Sequence, residues 1–175
     1  MSVVVLPIIL LAVFADVRGC VCDPARPETM SERACGLTLL AGEHSADQGA
    51  FLIRDANPTK PNRWLAIPPA LHHTLNDMTP EERNAYWSAA ISKARELWGD
   101  KWAIAVNGLE KRTQCQVHAH IGKLLDTADH SGGLLVNRVD EIPLPPDGSG
   151  ILIQPEGDKL RVHSGEPAPE LMLMR

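Results

Sequence analysis

A stripe of apolar residues spaced as on one face of an α-helix is the clearest hydrophobic pattern in the chain. Trp87, Ile91, Ala94 and Trp98 follow one another at intervals of four, three and four residues, which places them on one side of a helix. The residues TPEE at 79–82 precede the stripe and supply a threonine cap, a proline at the first helical position and a glutamate that can complete a capping box. The pattern predicts one long amphipathic helix whose tryptophans pack in the core.

Short apolar runs bounded by turn residues predict strands on both sides of this helix. The predicted strands are residues 51–53, 64–67 and 102–106, and a hairpin over 151–162 that turns at 156–158. A helical spacing of Ala34, Leu37 and Leu40 predicts a short N-terminal helix. Asn107 and Gly108 form a dipeptide typical of a hairpin turn, so the strand before them is expected to pair with the segment after them.

The segment RTQCQVHAHIGK, residues 112–123, contains the side chains best suited to chemistry. In a strand, alternate side chains share a face, and Gln114, Gln116, His118 and His120 then form one polar face. In a helix, the two histidines would lie about 200° apart around the axis and could not converge on one ligand. Imidazole titrates near neutrality and serves as nucleophile, general acid or metal ligand. The strand interpretation leaves open a reactive pair, a metal-binding pair, or two half-exposed histidines.

The composition limits the class of protein. The chain has 175 residues and a formal net charge of -5, without a block of lysine or arginine, so nucleic acid is not expected as a partner. A hydrophobic content of 44% excludes a disordered chain. The length suits a single domain.

The N-terminus carries an apolar run at 3–15 that is too short to span a bilayer and suits the hydrophobic region of a signal peptide. We expect residues 1–19 to be a signal peptide, because Val17 and Gly19 are small residues just before Cys20. The protein is therefore expected to be exported, to a periplasm or outside the cell. Lipidation of Cys20 would in addition anchor it to a membrane.

Four cysteines are available for disulfides: Cys20, Cys22, Cys35 and Cys115. In an oxidising compartment they permit three pairings, of which we favour Cys22 with Cys35. Cys115 falls on the apolar face of the predicted histidine strand, so we expect it to be a small buried hydrophobic residue.

Four segments of the chain resemble the histidine-triad (HIT) superfamily. They are CGLTLLAGE at 35–43, DANPTKPNRWLAIPPALHH at 55–73, VNG at 106–108 and QVHAHIG at 116–122. The resemblance implies an α+β fold with a HIT-like antiparallel β-sheet, one long amphipathic helix and a short N-terminal helix. On this basis residues 20–34 are a cysteine-containing segment, 35–125 a HIT-like core, and 126–175 a C-terminal extension with a β-hairpin packed on the same domain.

The chain departs from the family's pattern at three positions. Gln116 replaces the first triad histidine, Thr38 replaces the second zinc-type cysteine, and Arg63 replaces a histidine. Two of four zinc ligands are then missing, so we predict no structural zinc and no other metal. The motif RTQ at 112–114, followed by HAHI at 118–121, resembles the CDP-diacylglycerol pyrophosphatase branch, which pairs this motif with an export or membrane segment.

The resemblance assigns roles to individual residues. His118 corresponds to the nucleophile that attacks the α-phosphorus, and Thr113 to a hydroxyl that touches the leaving group. His120 and Gln116 correspond to the groups that hold the non-bridging oxygens. Further residues are expected to bind the substrate: Asn107, Gln114, Arg112, His72 and Lys123. For Asn107, a plain turn-forming role is the alternative.

These roles imply a histidine-nucleophile phosphohydrolase that cleaves a phosphoanhydride or phosphoramidate in a nucleotide-containing substrate, either a small molecule or a lipid nucleotide such as CDP-diacylglycerol. No cofactor is expected. The further expectations are contact with a membrane surface and a homodimer formed through the region of the long helix. The alternative is a non-catalytic protein that binds a nucleotide, or a metal through His118 and His120, on the same face.

Overall fold

The computed structural model describes residues 17–43, 49–128 and 131–175. The apolar run at 3–15 that predicts a signal peptide lies outside the described residues. Within the described part of the chain, no helix combines the length and the hydrophobicity needed to span a bilayer.

Seven strands form one antiparallel sheet in the described part of the chain, which confirms the predicted α+β class. The strands are β1 (Phe51–Arg54), β2 (Trp64–Ile67), β3 (Trp102–Val106), β4 (Ala119–Lys123), β5 (Leu134–Val136), β6 (Gly150–Glu156) and β7 (Lys159–Glu166). Their order across the sheet is β1-β2-β4-β3-β6-β7-β5. The predicted C-terminal hairpin is β6 and β7, and β6 pairs with β3, so the hairpin extends the same sheet.

Two α-helices accompany the sheet in the described residues. They are α1 (Gly36–Gly42) and α2 (Pro80–Trp98). Short 3-10 helices occupy several connections: Pro27–Ser31, Arg33–Cys35, Leu75–Asp77, Leu109–Lys111, Val139–Glu141 and Pro169–Met172. The predicted N-terminal helix is α1, which two of these 3-10 helices precede.

Helix α2 begins with the capping box that the sequence predicts. The Thr79 hydroxyl accepts a hydrogen bond from the backbone N–H of Glu82 at 3.2 Å, and the Glu82 carboxylate accepts from the backbone N–H of Thr79 at 2.8 Å. These two bonds satisfy N–H groups that lack a partner at any helix start. Trp87 and Ile91 are buried in the main core, as the apolar stripe predicts, so α2 covers one face of the sheet.

The opposite face of the sheet is covered by two separate apolar clusters. Ala105 packs in one cluster with Leu173 from the C-terminus. Leu65 packs in the other with Leu37 of α1. His120 of β4 is paired with Leu65 of β2 and with Ala105 of β3, so it lies on the strip between the two clusters.

Strand β4 begins at Ala119, and the prediction that residues 112–118 belong to this strand is therefore wrong. Residues 107–118, which we call the histidine loop, form a long connection instead of a tight hairpin turn. Their backbone pairs with segments outside the sheet, as where Val117 N donates to His72 O at 2.8 Å. The alternation of polar side chains in this loop arises from amides that bond to neighbouring backbone, a pattern that imitates a half-buried strand.

Two disulfides fix the N-terminal residues. Cys22 pairs with Cys35, which confirms the favoured pairing. Cys20 pairs with Cys115, so the expectation that Cys115 is an unpaired hydrophobic residue is wrong, because the N-terminal segment folds back onto the histidine loop. Disulfides of this kind indicate an oxidising, exported location. The Cys20 sulfur is already bonded and cannot also carry a thioether-linked lipid.

Candidate active site

A cleft of about 620 Å³ lies over the strip of sheet that neither apolar cluster covers. One wall is apolar and comes from α1 and the first two strands: Leu37, Leu40, Ile53 and Leu65. The other residues around the cleft are mainly polar: Arg33, Asp55, Asn57, Lys60, Thr113, Gln114, His118 and His120. The cleft therefore combines an apolar wall with a pair of histidines and several groups that can bind an anion.

His118 lies at the end of the histidine loop, one residue before β4, and is 5% exposed. Its Nδ1 atom is 3.0 Å from the carbonyl oxygen of Gln116. Because a carbonyl only accepts, this contact places the ring proton on Nδ1 and leaves the lone pair on Nε2. Burial, together with the neighbouring His120, lowers the pKa of His118 to about 3. The ring is therefore neutral near pH 7, which is the state required of a nucleophile.

His120 stands beside His118 in an edge-on arrangement, with ring centroids 5.0 Å apart. Its Nε2 atom is 2.8 Å from the Glu170 carboxylate. Its Nδ1 atom is buried, has no hydrogen-bond partner among the described residues, and lies 3.9 Å from the Asp55 carboxylate across the cleft. Each histidine thus has one nitrogen held by the protein and one nitrogen left for a ligand.

Glu170 belongs to the C-terminal segment, residues 167–175, and the sequence did not point to it. Lys60 Nζ lies 3.0 Å from its Oε1 atom, and Arg63 Nη1 lies 3.5 Å from Oε2. Burial raises the pKa of Glu170, but the hydrogen bonds from His120 and Lys60 and their charges outweigh it, so the pKa falls well below its usual range. The carboxylate is therefore ionised.

Arg63 occupies the position where the resembled family has a histidine, and it binds the C-terminal segment. Its side chain is almost fully buried. Nε donates to the carbonyl of Met174 at 3.0 Å, while Nη2 donates to the carbonyls of Glu170 at 2.9 Å and Leu173 at 2.8 Å. One side chain therefore satisfies three backbone acceptors and holds the segment that supplies Glu170.

Asn107 was expected to contact the substrate, but its side chain contacts the same C-terminal segment. Its Oδ1 atom accepts a hydrogen bond from the backbone N–H of Glu170 at 3.2 Å. Asn107 is 5% exposed and does not line the cleft. It helps to set the position of Glu170.

Gln116, expected to hold a phosphoryl oxygen, is fully buried behind the histidine loop. Its Oε1 accepts from the backbone N–H of His72 at 3.2 Å, and its Nε2 donates to the carbonyl of Ala70 at 2.7 Å. The amide is therefore saturated by the backbone and does not reach the cleft. This is a correction to its expected role, and the reason is that the amide replaces strand pairing in this loop.

Thr113 and Gln114 do line the cleft, as their place in the motif suggests. Thr113 is exposed. The Gln114 amide accepts from the backbone N–H of Leu37 at 3.0 Å and donates to the carbonyl of Arg33 at 2.9 Å. Gln114 thus fixes the start of α1 against the histidine loop, and the Thr113 hydroxyl is the freer of the two groups.

Three further residues expected to bind substrate lie outside the cleft, as Asn107 does. Arg112 is buried and lines a small cavity on the other side of the histidine loop. His72 lies in a separate apolar pocket, 3.6 Å from Glu82. Lys123 is at the far end of β4, 3.9 Å from Asp126. Position in a motif did not reveal on which side of the loop or at which end of the strand each residue lies.

One group of residues in the described part of the chain brings enough ligand atoms together for a metal ion. These are the sulfurs of Cys22, Cys35 and Cys115, which lie within 4.8 Å of one another. All three are bonded in disulfides and so are not thiolates, the form that binds metal.

A comparison of the chain with models of known protein families and with curated proteins gives no match.

Proposed function

We propose that the protein is a hydrolase that cleaves a phosphoanhydride or phosphoramidate bond in a nucleotide-containing substrate, and that its domain is of the HIT type. The observation that carries the proposal is the state of His118. Its Nδ1 is held by the Gln116 carbonyl at 3.0 Å, and burial keeps the ring neutral. Nε2 is therefore a lone-pair donor of fixed direction beside a cleft, which is the arrangement of an activated nucleophile.

The proposed reaction has two displacements at phosphorus. The Nε2 lone pair of His118 forms an N–P bond while the P–O or P–N bond to the leaving group breaks, and the leaving group keeps that electron pair. The ring then carries a positive charge that the Gln116 carbonyl stabilises through Nδ1–H. Water next attacks the phosphorus, and the N–P bond returns its electrons to the ring. One hydrogen of the water stays on the phosphate product as P–OH, and the other is released to solvent as a proton, which balances the proton that a nitrogen leaving group takes up from solvent as it departs.

Hydrogen-bond donors around the cleft can stabilise the negative charge on the oxygens of the reacting phosphoryl group. His120 Nδ1, when protonated, and the Lys60 ammonium group can each donate to a non-bridging oxygen, and such donors supply much of the rate enhancement in phosphoryl transfer. Thr113 lines the cleft at the motif position of a leaving-group contact. In this proposal Lys60, and not Gln116, holds a non-bridging oxygen together with His120.

The size and walls of the cleft suit a nucleotide. Small-molecule sites typically enclose about 300–1,000 Å³, and the cleft has about 620 Å³. Leu37 and Ile53 offer an apolar surface for a base or an acyl chain. We propose CDP-diacylglycerol as the leading substrate, because the motif at residues 112–121 resembles that branch. A soluble dinucleotide or a nucleoside phosphoramidate is the second choice.

The test is the mass of the intact protein after incubation with CDP-diacylglycerol, and separately with a nucleoside phosphoramidate, followed by a quench without acid. We expect an adduct whose mass identifies the transferred group, and we expect His118→Ala to lose it. His163→Ala is the matched control, because His163 lies on β7 and not in the cleft. An adduct that persists in His118→Ala would rule out His118 as the nucleophile.

A non-catalytic nucleotide-binding function is the second candidate, because the buried Gln116 amide puts no imidazole at the first triad position. Calorimetric titration with cytidine nucleotides separates the two functions. Nucleotide binding by wild type and His118→Ala alike, without adduct or product from either substrate, would favour the binding protein.

A further inference from the structure

We propose that Glu170 is a positioning residue of this site: its carboxylate fixes the ring proton of His120 on Nε2 and thereby presents Nδ1 to the cleft. The geometry of the pair carries this inference. Nε2 and the carboxylate oxygen are 2.8 Å apart, and an ionised carboxylate only accepts hydrogen bonds. The proton between them therefore belongs to Nε2, and the other nitrogen is the one that can meet a substrate.

The position of Nδ1 agrees with this assignment. It is buried, and among the described residues no hydrogen-bond partner contacts it. A buried polar atom without a partner is rare in proteins and usually has an explanation. The nearest acidic oxygen belongs to Asp55, at 3.9 Å, and both residues line the cleft. When the ring is doubly protonated, Nδ1–H can donate to a bound phosphoryl oxygen, which is then the partner that this nitrogen lacks.

The carboxylate itself is held by groups other than His120. Lys60 Nζ contacts both oxygens, at 3.0 and 3.2 Å, and Arg63 Nη1 lies at 3.5 Å. The side chain of Glu170 is only 16% exposed. Lys60 adds to His120 in keeping the carboxylate ionised, and the two cationic neighbours set its direction before a substrate arrives.

The backbone of Glu170 is also held, by two hydrogen bonds to side chains. Its N–H donates to the Asn107 side chain at 3.2 Å, and its carbonyl accepts from Arg63 at 2.9 Å. Leu173, three residues later, is buried against the sheet. The C-terminal segment is therefore part of the site, although it lies beyond every motif that resembles the HIT family.

The consequence for His120 depends on its proton count. In the neutral ring Nδ1 is an acceptor. When the ring is doubly protonated, Nδ1–H donates into the cleft and the Glu170 carboxylate balances the positive charge, much as the buried aspartate does for histidine in a catalytic triad. The groups that face His120 are then Glu170 on one side and Asp55 and His118 on the other.

The test uses ¹⁵N NMR of the histidine rings in the purified protein, with two matched variants. Glu170→Met and Lys60→Met each remove one member of the same ion pair, but only Glu170 contacts His120. In the wild type we expect His120 to hold one proton on Nε2, deshielded and slow to exchange with water. Glu170→Met should lose that fixed proton, whereas Lys60→Met should keep it.

The catalytic part of the inference rests on the proposed function and has its own measurement. Mutation of the partner that orients a metal-bound histidine typically costs about 10–100-fold, and we expect kcat of Glu170→Met to fall by a similar factor while KM changes little. A His120 ring that shows the same tautomer in wild type and Glu170→Met would overturn the inference. A tautomer that changes as expected in a protein that hydrolyses none of the substrates would overturn the proposed hydrolase and leave the role of Glu170 intact. Should Glu170→Met fail to fold, the exchange rate of the Nε2 proton in the wild type decides the question alone.

Discussion

The two segments that flank the histidine cleft are held in different ways. On the N-terminal side, residues 17–43 carry α1 and are joined to the rest of the protein by a disulfide between Cys20 and Cys115. On the C-terminal side, residues 167–175 carry Glu170 and are held by side-chain hydrogen bonds and ion pairs. One flank depends on the redox state of its surroundings, and the other depends on charge.

The difference matters because each flank positions a different histidine. Cys115 lies three residues before His118, so the disulfide on the N-terminal side restrains the loop that carries the proposed nucleophile. The C-terminal side restrains His120 through Glu170. Conditions that weaken one flank should therefore disturb one histidine before the other.

The largest effect is expected from removing the Cys20–Cys115 disulfide by a double substitution to serine. This cross-link spans a sequence separation of 95 residues, against 13 for Cys22–Cys35. The chain-entropy model gives about 4–5 kcal/mol for the longer loop and about 3 kcal/mol for the shorter one. Urea denaturation should show the larger loss of unfolding free energy for the long-range disulfide.

The serine substitution of Cys22 and Cys35 is the control for this prediction. Hydrogen exchange should rise in the histidine loop, residues 107–118, when the long-range disulfide is absent, and should stay low there when the short-range one is absent. Equal protection of the loop in both variants would show that the disulfide on the N-terminal side does not restrain His118.

A somewhat smaller effect is expected for Arg63→Met on the C-terminal side. The substitution leaves three backbone carbonyls without their donor and removes a cation beside Glu170. Breaking a buried charged group of this kind costs about 3–5 kcal/mol, and we expect the lower end here because the carboxylate keeps Lys60. Urea denaturation measures the loss, and hydrogen exchange should increase at residues 167–175.

Lys60→Met is the matched control for Arg63→Met. Lys60 contacts the same carboxylate but bonds to no backbone carbonyl of the C-terminal segment. Its ion pair has side chains that are 19% and 16% exposed, so we expect a loss above the roughly 1 kcal/mol of a surface pair and below that of Arg63→Met, which also removes three backbone contacts. A loss of stability as large in Lys60→Met as in Arg63→Met would mean that the ion pair, and not the carbonyl contacts, holds the segment.

Local signals made most of the sheet and α2 predictable. The capping box of α2 lies within four residues, and its apolar stripe repeats with the period of a helix, so both can be recognised without knowing the rest of the fold. β2 and β3 are short apolar runs between turn residues, and their observed bounds equal the predicted ones. β5 has only three residues, two of them exposed, and carries no comparable pattern.

The site was less predictable because its parts come together over long distances. The two cleft histidines could be chosen from their motif, but Glu170, the partner of His120, lies 50 positions later in the chain. The polar side chains of Gln116 and Arg112 bond to the backbone of His72 and His73 and so tie the histidine loop to that segment. A motif gives the identity of such residues and not the side of the chain on which they are buried.

The smallest expected effect is a loss of stability at mildly acidic pH. The pKa of His118 is lowered to about 3 from 6.5, so the unfolded chain binds this proton more readily than the folded protein. Stability from this group is fully present above pH 6.5 and falls as the pH drops toward 3. Between pH 6.5 and 5 the loss is at most about 2 kcal/mol, because one proton contributes at most about 1.4 kcal/mol per pH unit.

The same titration separates the two flanks of the cleft. Glu170 also has a lowered pKa, so its contribution is present above its unfolded value near 4.5 and is lost only below it. Acid should therefore weaken the histidine loop first and the C-terminal segment second, while the disulfides on the N-terminal side do not respond to acid. His118→Phe should remove the loss of unfolding free energy between pH 6.5 and 5, and Glu170→Gln should keep that loss and remove part of the one below pH 4.5. If His118→Phe kept the full pH dependence in that range, another group would be taking up the proton, and the neutral state assigned to His118 would be wrong.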